Sequence, residues 1–96
     1  MKIYNWNIEK NRELKKIRGI CFEDIILSIN DGKLLDIIKH PNKQKFPNQK
    51  IFIVEYSNYA FLVPFVEDNE TVFLKTIIPS RKMTKLYLGG NRNEIK

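Results

Sequence analysis

The chain has 96 residues, with 17 Lys and Arg against 11 Asp and Glu and a formal net charge of +6. Hydrophobic residues make up 43% and charged residues 29%, which suits one small globular domain and excludes a disordered polymer. No apolar run approaches the ~20 residues of a bilayer span, and Met1–Trp6 lacks the apolar core of a signal peptide.

Cys21 is the single cysteine and His40 the single histidine. They permit no internal disulfide and fall short of the about four ligands of a structural zinc site. The expectation is a cytoplasmic, cofactor-free domain that keeps out of membranes and is held by its core.

Alternation of Tyr4 and Trp6 predicts a short strand over residues 2–6. Asn7 supplies an N-cap oxygen for a helix from Ile8 to about Arg18, with Glu9 in the first turn and Lys15, Lys16 and Arg18 in the last. Gly19 is its left-handed stop. Phe22, Ile25, Ile26 and Ile29 then follow the i, i+3, i+4, i+7 spacing of a one-faced helix, opened by Glu23 and Asp24 and closed by Gly32. Burying those four side chains contributes roughly 1.5–3 kcal/mol each before entropy is subtracted. Cys21, just before this helix, reads as a small buried apolar residue.

Lys33–Lys39 reads as a strand, and the segment from His40 to Gln49 as a polar loop punctuated by Pro41 and Pro47. Strands are predicted over Lys50–Tyr56, Tyr59–Val66 and Thr71–Ile78, joined by Ser57-Asn58 and by Glu67–Glu70. Pro64 marks an edge or a bulge in the middle strand. Pro79 ends the last strand, and Ser80 caps a helix from Arg81 to Leu88. The order β-α-α-β-β-β-β-α predicts an α+β domain over residues 1–88. Two N-terminal helices pack on a four-stranded, largely antiparallel sheet, a short helix closes the chain, and residues 89–96 form a flexible tail. The sheet face away from the two helices is expected to stay at least partly open.

Charge is segregated along this order. Residues 39–50 hold Lys39, Lys43, Lys45 and Lys50 with no acid, and residues 75–96 hold six bases against Glu94. Between them Glu55, Glu67, Asp68 and Glu70 occur with no base. Two basic zones flanking an acidic hairpin tip suit a phosphate-binding surface, or equally a solvated, lysine-edged one. In an unbroken strand Phe73, Lys75 and Ile77 share one face, so Lys75 is either a half-buried ammonium or a snorkelling one. Arg81 and Lys82 follow the Ser80 cap, where two cations and free N–H groups can converge on one phosphate. Positive charge at a helix start is otherwise unfavourable. His40 is a candidate acid–base group or an ordinary loop residue.

Tyr4-Asn5-Trp6-Asn7 with Lys10 and Asn11, Arg18-Gly19-Ile20 with Phe22-Glu23-Asp24, and Ile77-Ile78-Pro79-Ser80-Arg81-Lys82-Met83-Thr84-Lys85 together resemble the BrnT toxins of bacterial type II toxin–antitoxin pairs. The resemblance implies a RelE-like fold, metal-independent ribonuclease activity, and neutralisation by an antitoxin, typically a ribbon–helix–helix DNA-binding protein. Asn7 stands where the family usually has Asp, Arg18 where it has His, and Pro79-Ser80-Arg81 carries the family's late Ser and Arg without the intervening Ala. Arg81 is the residue carried over.

The resulting expectation is an endoribonuclease toxin. Arg81 stabilises the developing negative charge, Lys75 or His40 moves the proton, and Lys43, Lys45, Lys82 and Lys85 track the RNA backbone. The alternative is a non-catalytic basic module that binds nucleic acid or protein.

Overall fold

A computed structural model of the chain describes residues 2–89. The expected tail therefore lies, Gly89 apart, outside the described residues. The helical layer begins where Asn7 folds its side chain back to accept the Lys10 N–H at 2.9 Å, starting α1 (Ile8–Arg18). Gly19, at φ 72°, ends it as predicted. Helix α2 (Phe22–Asn30) starts at Cys21, whose backbone N–H and thiol both reach the Asp24 carboxylate, at 3.1 and 3.3 Å. Cys21 is thus a half-buried helix cap rather than a core residue, and burial pushes its thiol up from the ordinary value.

Asn11 brackets the two helices. Its side-chain oxygen accepts the Phe22 N–H at 2.7 Å, and its amide donates to Glu23 at 2.8 Å. The bracket matters because α1 buries Leu14 alone, whereas α2 buries Phe22 and Ile25 completely and packs Ile26 and Ile29 against the same core.

Strands β1 (Ile3–Trp6), β2 (Leu34–Lys39), β3 (Lys50–Tyr56), β4 (Tyr59–Glu67), β5 (Thr71–Leu74) and β6 (Ile78–Pro79) form one sheet. Its main path is β1-β5-β4-β3-β2, with β6 also on β4. Only β1 and β5 run parallel; the other pairings are antiparallel. The α+β class and the largely antiparallel sheet therefore hold, with six strands instead of four: β1 joins the edge of β5, and a two-residue strand continues beyond a break. Ser57 and Asn58, both at positive φ (55° and 65°), turn β3 into β4 as a two-residue hairpin.

The break lies opposite Pro64. Its carbonyl accepts the Lys75 N–H at 2.8 Å, but proline has no N–H to return. The register then slips by one residue, from Phe65 opposite Leu74 to Leu62 opposite Ile78. This is a β-bulge, and it inverts the side-chain alternation. Val72, Leu74 and Ile77 all become core residues, while Ile78 is 40% exposed. The expected uninterrupted strand over Thr71–Ile78, with Lys75 and Ile77 on one face, is corrected accordingly.

The helices cover the face formed by Phe52, Val54, Val63, Phe65, Val72 and Leu74. The C-terminal segment reaches the other face. Helix α3 (Arg81–Thr84), capped by the Ser80 hydroxyl, winds on into a π-helical turn over Lys85–Gly89. The Ser80 N–H donates to the Ala60 carbonyl at 3.0 Å, and the Thr84 hydroxyl oxygen accepts the Ala60 N–H at 2.8 Å. Farther on, the Tyr87 hydroxyl donates to Asp36 at 2.6 Å. The segment thus spans from β4 to β2, over a face where Ile53 and Ala60 are fully buried. The second face is strapped at this end.

Two outcomes follow from these contacts. Asn11→Ala leaves the partly buried Phe22 N–H without its acceptor and is expected to cost about 1–3 kcal/mol in urea unfolding. The Tyr87 bond holds Asp36 below the usual carboxylate range and pushes Tyr87 up. Its contribution is therefore lost as pH falls through the lowered Asp36 value, or rises through a Tyr87 value above about 10. In Tyr87→Phe, NMR titration should move Asp36 upward toward the ordinary range, with the Ile37 N–H bond retaining part of the shift.

Candidate functional site

At the end of the sheet away from the Ser57-Asn58 turn, the chain makes a basic cleft. Lys39 ends β2 and Lys50 begins β3, and the two sit directly opposite each other across the strands. Between them the loop closes through the His40 N–H, which donates to the Gln49 carbonyl at 3.0 Å. Asn42 organises its first half: its side-chain oxygen accepts the Lys45 N–H at 3.1 Å and its carbonyl the Phe46 N–H at 2.9 Å. The His40 ring packs on Phe46 with centroids 4.4 Å apart, and the Lys45 ammonium lies 5.6 Å from the same phenyl centroid. A cavity of about 410 Å³ results, lined by Lys39, His40, Lys43, Phe46, Lys50 and Glu67 among others.

Glu67, at the end of β4, is the one acid in that lining. It holds Lys2 at 2.9 Å and Lys50 at 3.3 Å. Hydrogen bonds from the Lys2 and Lys50 ammoniums keep its carboxyl below the usual carboxylate range. Lys39 and Lys43 make no ion pair among the described residues. Like charges directly opposite across two strands oppose pairing, so Lys39 and Lys50 form a local conflict that an anion relieves.

His40 has a defined role in this geometry. Its Nδ1 accepts the Asn42 N–H at 3.1 Å, so the neutral ring carries its proton on Nε2. In that tautomer His40 is a hydrogen-bond donor and not a proton acceptor at Nε2.

The remaining predicted residues lie elsewhere. Lys75 is exposed, its ammonium 5.6 Å from the Phe73 ring centroid, beside a groove that it shares with Asn7, Glu9, Lys10 and Glu13. Arg81, Lys82 and Lys85 are exposed on the C-terminal segment. Lys75 is tied to Pro64 and Ser80 to Ala60, four residue steps or about 13 Å apart along β4. His40 is tied to Gln49, while Ser80 reaches Ala60, the partner of Glu55. Six steps of β3, about 20 Å, separate those levels. Lys75, Arg81 and His40 are therefore anchored at three different levels of the sheet. The Ser80 hydroxyl oxygen accepts the Met83 N–H at the start of this four-residue helix.

Glu67 was legible as part of an acidic turn, but its pairing with Lys50 was not. The two are 17 residues apart in sequence, and only the β3–β4 register makes them diagonal neighbours. Among the described residues, no three His, Cys, Asp or Glu side chains gather where a metal could bind, and no helix is long and apolar enough to cross a membrane. No protein-family model, curated protein or solved structure matches the chain.

The Glu67 contacts have a pH signature. Because its folded value lies below that of an ordinary glutamate, the bridge contributes fully above the unfolded value and is lost as pH falls through the lower folded one. Carbon-detected NMR should place the Glu67 midpoint below that of an ordinary glutamate. Lys50→Met should raise it, with Lys2 retaining part of the shift.

Proposed function

We propose that this chain is the toxin of a type II toxin–antitoxin pair, a metal-independent endoribonuclease of RelE-like arrangement that takes RNA through the basic cleft. The observation carrying this reading is the convergence of Lys39, His40, Lys43 and Lys50 on one cavity. The resemblance of three sequence stretches to the BrnT toxins supplies the biological setting: a cytoplasmic protein neutralised by a ribbon–helix–helix antitoxin. Cleavage without a metal needs the 2′-oxygen activated, charge on the phosphorane stabilised, and the 5′-oxygen protonated. In this reading solvent water takes the 2′-OH proton and supplies the proton to the 5′-oxygen, His40 Nε2–H donates a hydrogen bond to that leaving oxygen while keeping its own proton, and Lys43 and Lys50 stabilise the developing charge. The cleft lysines also hold the backbone, so binding weakens steeply with salt.

The separation of Lys75, Arg81 and His40 favours a second reading, a basic module that grips nucleic acid without cutting it. One experiment divides the two. Purified protein, incubated with single-stranded RNA in EDTA, is expected to cleave it, and His40→Ala to slow cleavage about 100-fold while retaining binding. Binding without cleavage, and without growth arrest on expression, establishes the second reading. Unchanged cleavage in His40→Ala with loss in a folded Arg81→Ala moves the centre to the C-terminal segment.

A further inference from the structure

The cleft contains a like-charge pair that its own residues only half compensate. Lys39 and Lys50 face each other across β2 and β3, and Glu67, diagonal to Lys50, pairs with Lys50 and Lys2 but not with Lys39 or Lys43. All three contacting side chains are partly solvent-exposed, at 40% for Lys2, 45% for Lys50 and 32% for Glu67. Exposed ion pairs of this kind contribute only about 0–1 kcal/mol, so the contact is easily given up. A phosphate oxyanion entering the cavity meets Lys39 and Lys43 unpaired and Lys50 already occupied by a carboxylate.

We infer that Glu67 is the cleft's internal counter-anion: it holds Lys50 in place in the free protein and yields it to a phosphate group of the ligand. The ligand class is a phosphate oxyanion, and the reading of the cleft as an RNA site identifies that phosphate as part of an RNA backbone. Glu67 then restrains affinity. Its carboxylate competes for Lys50 and repels the incoming anion, which biases the cleft against weakly charged anions. It also pre-positions the Lys50 ammonium at the strand end where the phosphate arrives. Glu70, on the same β4–β5 turn, makes no ion pair among the described residues and serves as the matched control.

The test titrates inorganic pyrophosphate and a short oligoribonucleotide into wild type, Glu67→Gln and Glu70→Gln by NMR and fluorescence anisotropy. Glu67→Gln should tighten pyrophosphate about fivefold, and Glu70→Gln less than twofold. In a Lys50→Met background the Glu67→Gln gain should fall below twofold. For the oligoribonucleotide, freeing Lys50 should steepen the slope of log affinity against log salt by about 0.7. Equal gains from Glu67→Gln and Glu70→Gln reduce Glu67 to a general charge effect and overturn the inference. So does neutral or weaker binding in Glu67→Gln, or absence of pyrophosphate binding in all three proteins. If the pyrophosphate pattern holds while the oligoribonucleotide does not bind, the counter-anion role stands and the RNA reading of the cleft falls.

Discussion

The absent N–H of Pro64 governs the architecture of the C-terminal third. A strand residue that accepts a ladder bond but cannot return one leaves its neighbour half-paired, and the chain answers with a one-residue bulge between Lys75 and Ile78. Because side chains in a strand alternate with a period of two, that extra residue exchanges the faces beyond it. Ile77 enters the core beside Leu74, Lys75 remains outside, and Ser80 arrives opposite Ala60. From there the Ser80 cap, the Thr84 hydroxyl and the Tyr87–Asp36 bond carry the last helical turns across the second face of the sheet. A residue that reads in sequence as an edge or a bulge thereby marks the bulge that decides where the C-terminal segment lies.

The same sheet sorts the charge. The two ends of the β3–β4 hairpin receive different chemistry: the turn end carries the Ser80–Ala60 junction and Arg81, and the open end carries Lys39, His40, Lys43 and Lys50. Cations spread over ~20 Å of strand do not act on one phosphate. Cations lining one cavity do, and electrostatic attraction is strongest where they converge. Glu67 tempers this convergence without cancelling it, since one carboxylate is shared by Lys2 and Lys50 while Lys39 and Lys43 face the cavity uncompensated.

His40 illustrates how a neighbour's backbone settles a side chain's chemistry. The Asn42 N–H engages Nδ1, and the ring rests on Phe46. The ring is thereby oriented and, when neutral, fixed in the tautomer that donates from Nε2. A histidine so arranged presents a directed hydrogen-bond donor at Nε2, which narrows the broader acid–base role that residue type alone allows.

Local patterns in the sequence determined the elements whose causes are local. The spacing of Phe22, Ile25, Ile26 and Ile29 defined α2 and its buried side, Asn7 and Gly19 bounded α1, Ser57-Asn58 formed the hairpin, and Ser80 capped the last helix. The lysine-rich stretch over residues 39–50 was visible as a basic zone, because charge density is a property of composition. Tertiary structure alone decided the parallel seat of β1 on β5, the face exchange beyond Pro64, the pairing of Lys50 with Glu67, and the distance between Arg81 and His40. Each depends on strand register between segments distant in sequence, and register is set by the summed packing of two faces and by the one place where a ladder bond cannot form.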